Sequence, residues 1–141
     1  MPVGTLAVDA VTTTDDTPLE SAIETMQTED LGALVVVEGS KPIGILTDRD
    51  VVLALPDVDL EATTVGEIMA RDPVTIDENA TACDLPACMA EGGVRRIPVV
   101  DDHGDLVGIA TLDDVVATLG EMLKDVATVI ETQSPAYEPA P

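Results

Sequence analysis

The stretch Gly44-Ile45-Leu46-Thr47-Asp48-Arg49-Asp50-Val51-Val52 returns 64 residues later as Gly108-Ile109-Ala110-Thr111-Leu112-Asp113-Asp114-Val115-Val116. The shared pattern Gly-Ile-x-Thr-x-x-Asp-Val-Val keeps its flanks, so the chain holds two copies of one structural unit. Val11-Thr12 aligns with Val74-Thr75, Met26 with Met89, Val35-Val36 with Val99-Val100, and Leu55 with Leu119. The offset grows from 63 to 64 residues between the first helix of the unit and its second strand. A loop can take up a change of that size.

Each copy reads as strand, helix, strand, strand, helix. The first strands fall near Val11–Thr13 and Val74–Ile76. Leu19, Ile23 and Met26 stand at i, i+4 and i+7 and make one apolar helical stripe. Asp16 or Thr17 can cap that helix, and Pro18 suits its first turn. Val- and Ile-rich runs at Ala33–Val37 and Ile43–Leu46 flank the turn from Glu38 to Pro42. Their counterparts, Ile97–Val100 and Leu106–Ala110, flank Asp101-Asp102-His103-Gly104. Helices close the units from about Thr47 and Thr111. The fold class is therefore α/β (α+β): a first unit over 1–58, a linker over 59–64, and a second unit over 65–132 with an extended last helix. The tail, 133–141, carries three prolines and is expected to be disordered. Pro86 falls inside the second unit's first helix, which must start later than its counterpart or kink.

Charge narrows the partners. Twenty-eight acidic residues against six basic ones give a formal charge of −22. Nucleic acid and anionic membranes bind through Lys and Arg, so neither is an expected partner. Mutual repulsion of this size strains a compact state unless salt screens it. With two lysines, the composition resembles that of a haloarchaeal cytosolic protein whose fold loosens in low salt. No apolar run reaches the ~20 residues of a membrane span, and no secretory leader is evident, so a cytoplasmic location is expected. Cys83 and Cys88 lie five positions apart, poorly placed for a disulfide, and read as small buried hydrophobes. Phe and Trp are absent and Tyr137 is the one aromatic residue, which leaves no aromatic platform for stacking bases or sugars.

The duplicated Gly-Ile-x-Thr-x-x-Asp, the run Ile97-Pro98-Val99-Val100-Asp101, and Val65-x-x-Ile68-Met69 leading to Asp72-Pro73-Val74-Thr75 together resemble a tandem pair of CBS domains, a Bateman module. The resemblance covers about Val3 to Leu123. It implies two βαββα units packed sheet to sheet about a pseudo-twofold axis, with two clefts between them. Such clefts commonly hold AMP, ADP, ATP or S-adenosylmethionine, and pairs often associate into a disc-shaped dimer. The implied function is regulatory and non-enzymatic: a stand-alone module senses an adenine nucleotide, forms a homodimer and signals to a partner protein. The alternative is a dimerisation or adaptor module that binds no ligand.

The resemblance assigns residues to the clefts. Asp50 and Asp114 would accept hydrogen bonds from ribose hydroxyls, and the Thr47 and Thr111 hydroxyls would face phosphate beside the helix-start amides. The same spacing is that of a capping box, which would explain both copies without a ligand. Thr12-Thr13 and Thr75-Ile76 match the strand that meets the adenine edge, although β-branched residues also simply suit a strand. Ala33-Leu34 and Ile97-Pro98 correspond to the apolar wall against the base, or to plain core. Leu34 stands where the second copy has Pro98, so the two clefts should differ. Four of the six cations are arginines, namely Arg49, Arg71, Arg95 and Arg96, in segments expected to border the clefts. Bidentate anion binding suits them as a group; pairing with neighbouring acids is the competing use. Cofactors are not required, and no metal set or catalytic nucleophile–base pair is evident. His103, in its acidic turn, reads as solvated.

Overall fold

A computed structural model of the chain describes residues 1–134 and 140. The short strand β1 (Thr12–Thr13) leads into α1 (Leu19–Glu29), the hairpin β2 (Ala33–Glu38) and β3 (Lys41–Thr47), and α2 (Asp48–Ala54). A single-turn helix α3 (Val65–Ile68) and β4 (Ala70–Arg71) precede the second round. That round comprises β5 (Ile76–Asp77), α4 (Leu85–Gly92), β6 (Arg96–Val100), β7 (Leu106–Thr111) and α5 (Leu112–Gln133). The sheets run β1-β2-β3-β4 and β5-β6-β7. β1 and β2 pair in parallel, as do β5 and β6, and each parallel pair needs the crossover helix between its strands. Most of the tail expected to be disordered, 135–139 and 141, lies outside the described residues; Gln133 closes α5. No helix among the described residues is long and apolar enough to cross a membrane.

Alternation sets the burial. Leu34, Val36 and Leu46 enter a core with Leu19, Ala22 and Met26 of α1, and Ile97, Val99 and Ala110 enter a second core with Leu85 and Met89 of α4. Val35 and Pro98 point to the opposite sheet faces yet stay buried, because the two sheets pack back to back. The hairpin turns also join the halves: Leu106 N–H donates to Ser40 O at 2.8 Å, and Lys41 pairs with Asp105 at 2.8 Å while donating to His103 O. Asp101 closes the second turn by accepting from the Asp105 and His103 amides, both at 2.9 Å. Those donors hold its carboxyl below the ordinary range, the Asp105 amide most of all.

Pairing shifts the repeat alignment. Val36 lies opposite Gly44, and Val99 opposite Gly108, so Val36 corresponds to Val99 and Val35 to Pro98. The extra residue sits in the second hairpin turn, not before β2, and Leu34 corresponds to Ile97 rather than to Pro98. Runs of consecutive valines made the two alignments indistinguishable by residue type. Pro86 is accommodated because α4 begins at Leu85, after a 3-10 turn at Ala82–Asp84. Cys83, on that turn, is exposed rather than buried; Cys88 is half-buried against the second core.

The leading segments change sides. Val3 and Gly4 N–H groups donate to Ala80 and Glu78 carbonyls in the second half, just as Val65 and Gly66 donate to Thr17 and Asp15 in the first. Val3 is fully buried in the second core, whereas Val65 and Met69 belong to the first. Val8 bridges Ile109 as Ala70 pairs with Ile45. The repeat boundaries at 1–58 and 65–132 therefore differ from the packing units. Gly44 and Gly108 carry these crossings: a Cβ at Gly108 would lie 2.6 Å from Val8 O, and one at Gly44 would lie 2.9 Å from Ala70 O.

Candidate functional site

The sequence Thr-x-x-Asp folds as a capping box in both copies. Thr47 Oγ1 accepts from Asp50 N–H at 3.1 Å, and Asp50 Oδ2 accepts from Thr47 N–H at 3.0 Å. At the head of α5, Thr111 and Asp114 repeat these bonds at 3.3 and 3.0 Å, and the Thr111 hydroxyl also donates to Asp114 Oδ2. Arg49 N–H is held by Asp48 Oδ1 at 2.8 Å. The amides of Arg49 and Asp50, expected to face phosphate, are thus already satisfied within the turn, so anion binding here falls to side chains. Each half-buried aspartate still keeps its second oxygen free of protein donors among the described residues.

Between the halves lies a cavity of about 440 Å³. The first strand-to-helix turn forms one wall, with Thr47, Arg49 and Asp50. The segment from Ala70 to Val74 forms a second, and the α4–β6 junction with Arg95 and Arg96 forms the third. Gly93 makes that junction possible: at φ 63° it turns the chain out of α4 in a conformation that favours glycine. Asp72 adopts φ 51° between Arg71 and Pro73, one of two left-handed non-glycine residues among the described residues. Arg71 is anchored by Nη2 donating to Gly66 O at 2.9 Å, which leaves most of its donors unused. The Arg96 guanidinium reaches towards Gly32, where a Cβ would stand 3.2 Å from Nη2 and 3.4 Å from Asp48 Oδ2.

Six of the residues expected at the clefts meet here: Thr47, Arg49, Asp50, Arg71, Arg95 and Arg96. The other ten do not line this cavity. Leu34, Ile76 and Ile97 are committed to the two cores, and Pro98 is buried between sheets. Thr12 and Thr13 form the short outer strand β1, Ala33 opens β2, and exposed Thr75 precedes β5. Thr111 and Asp114 occupy the duplicated position at α5. Asp72, Pro73 and Val74 line the cavity but were not singled out as site residues; the strained Asp-Pro step was the available signal. Ion pairing takes up little of the arginine charge. Of the four arginines, only Arg95 has a carboxylate of the described residues within 4.0 Å, Asp113 at 3.9 Å, and both groups are largely exposed. No group of three or more His, Cys, Asp or Glu is placed to hold a metal among the described residues.

Two α+β halves with crossed leading segments and a cavity walled by both define a tandem-repeat α+β module. The CBS domain model matches residues 3–57 and 65–121, and the chain belongs to the CBS domain family. It is 34% identical to protein MK0525 of Methanopyrus kandleri over 76% of this chain and 61% of that one. It is 32% identical to the inosine-5'-monophosphate dehydrogenase of Korarchaeum cryptofilum over 76% of this chain but only 22% of the enzyme. Among solved structures it resembles the CBS domain protein NE2398, with TM-score 0.75 and 31% identity over 84% of this chain and 97% of that one. The CBS pair of protein MJ0100, solved in complex with 5'-methylthioadenosine and S-adenosyl-L-methionine, matches with TM-score 0.74 and 25% identity over 84% and 99% of the two chains.

Proposed function

We propose that this CBS pair is a regulatory module that takes an adenine nucleotide into the cavity between its halves and passes its state to a partner protein by contact. One observation carries the reading: a chain of charge −22 places all four of its arginines around a single cavity that also presents Asp50. Asp50 accepts ribose hydroxyls through its free oxygen, and the guanidiniums take phosphate in the bidentate fashion that Lys cannot reproduce. The adenosine ligands of the MJ0100 pair support the base and sugar part of this assignment. A ligand held by both walls favours one relative setting of the halves, which is the differential binding that regulation requires.

Calorimetric titration with AMP, ATP and S-adenosylmethionine in about 1 M KCl tests it, at a salt where surface repulsion is largely screened. At least one of them should bind. Asp50→Ala should weaken binding by roughly tenfold or more, the scale of a lost hydrogen bond to a charged group. Silence with all three ligands overturns the proposal.

A second reading, assembly of two chains, is favoured by α5. Val116, Leu119, Leu123, Val126 and Ile130 follow a 3-4-3-4 spacing and are all exposed, from 41% at Ile130 to 68% at Leu123. That is a coiled-coil seam without a partner among the described residues. A second copy of the same helix fits it, and Leu119→Glu with Val126→Glu should convert a dimer to a monomer in light scattering. A wild-type chain that stays monomeric at high concentration removes this reading and leaves the nucleotide site standing.

A further inference from the structure

The duplication allows each cavity residue to be compared with the residue at the same place in the other half. β3 and β7 pair alike, so Arg49 and Asp50 correspond to Asp113 and Asp114. The crossing segments correspond through Ala70–Ile45 and Val8–Ile109, which puts Asp9 where Arg71 stands. The helix ends correspond at the left-handed residues Asp30 and Gly93, followed by Leu31 and Val94, whose amides bond to Met26 O and Met89 O. Gly32 and Ala33 therefore occupy the places of Arg95 and Arg96.

Every arginine of the cavity has a counterpart that is acidic or lacks a polar side chain. The cavity sets four arginines against Asp48, Asp50 and Asp72, a net positive charge of one. The duplicated side presents Asp9, Asp30, Asp113 and Asp114 and contributes no base of its own. Arg95 approaches Asp113 at 3.9 Å, but with the two side chains 71% and 90% exposed the pair is screened and changes this balance little. Carboxylates are acceptor-only, so they replace bidentate phosphate donors with groups that repel phosphate and offer it no hydrogen.

We infer that the two sides of the pair are not equivalent: each chain takes one phosphorylated adenosine, in the Thr47–Asp50 cavity, and Asp9 and Asp113 keep phosphate from the duplicated side. This rests on the nucleotide reading of the cavity and adds to it a stoichiometry, a ligand class and two specificity-determining residues. Gly32 has a part as well, since a side chain there would displace the Arg96 guanidinium from its approach to the cavity.

Equilibrium titration of the full chain with ADP and with adenosine, in about 1 M KCl, provides the test. ADP should bind once per chain and more tightly than adenosine. Arg49→Asp with Arg71→Asp should weaken ADP about tenfold or more while leaving adenosine nearly unchanged, because the loss is of phosphate contacts. Asp9→Arg with Asp113→Arg, which adds donors rather than removing them, should raise ADP stoichiometry to two; circular dichroism confirms that each variant is folded. Two ADP per wild-type chain, or one per folded Asp9→Arg/Asp113→Arg chain, overturns the inference and leaves the nucleotide reading intact. Failure of both ligands to bind at all overturns both.

Discussion

Gly108→Ala should destabilise the protein by about 2–3 kcal/mol, although it adds one methyl group. The new Cβ would lie 2.6 Å from the backbone oxygen of Val8 and 3.2 Å from Ala7 Cβ. A backbone atom in a paired segment cannot rotate away as a side-chain tip can. Val8 and Ile109 exchange both of their backbone hydrogen bonds, at 3.0 and 2.9 Å, so relief of the clash must break that bridge. The leading segment then lifts, and with it Val3, which fills the second core at zero exposure. Gly44→Ala should cost less, since its nearest neighbour is the flexible Met69 Sδ, with Ala70 O next at 2.9 Å. Gly120→Ala supplies the opposite sign: nothing lies within 4 Å of its Cβ in the middle of α5, so it should stabilise by up to about 1 kcal/mol. Thermal midpoints measured together should rank Gly120→Ala above wild type, then Gly44→Ala, then Gly108→Ala. An unshifted midpoint for Gly108→Ala would mean that the leading segment does not cross at this point.

The same crossing marks the limit of what the sequence discloses. The repeat, the order of elements and the Thr-x-x-Asp turns are visible because they are local: periodicity, turn residues and capping pairs sit within a few positions of one another. The glycine of Gly-Ile-x-Thr is equally visible, but its reason is not, for the atom that excludes a side chain at 108 belongs to residue 8. Likewise, Val3-Gly4 and Val65-Gly66 are a second repeated feature, yet two residues are too few to stand out from a Val-rich chain. Valine runs hid the one-residue register difference until the ladder partners fixed it. At the site, the scarcity of cations pointed to all four arginines, and the cavity brings them together. Assigning the apolar wall was harder, because Leu34 and Ile97 have the character of core residues and are buried as such. What the sequence did not display was the contrast between the sides, since Arg71 and Asp9 become equivalent only once strand pairing is known.

Moving the protein from about 3 M to about 0.1 M KCl should lower its unfolding midpoint steeply, and at the lower salt should populate the unfolded chain at room temperature. The formal charge is −22, and neutralisation within the chain is slight. Among the described residues only three pairs bring a cation within 4.0 Å of a carboxylate, one of them through His103, which is charged only when protonated. Nearly all the acids therefore interact through solvent, where salt controls the distance over which they repel. The Debye length is about 10 Å at 0.1 M and about 3 Å at 1 M, so neighbouring surface carboxylates interact at the first salt concentration and scarcely at the second. The unfolded chain spreads the same charge over a larger volume, so screening favours the folded state and the sign is fixed: stability rises with salt. A core of Val, Leu, Ile, Ala and Met in two small clusters leaves little reserve against such repulsion. The measurement is the urea midpoint at a series of KCl concentrations at pH 7. Replacing surface acids remote from the cavity, such as Glu20, Glu24 and Glu121, by Gln should flatten the dependence by removing part of its cause. A midpoint that does not change with KCl would show that the charge is neutralised by other means and would remove repulsion as the force that limits this fold.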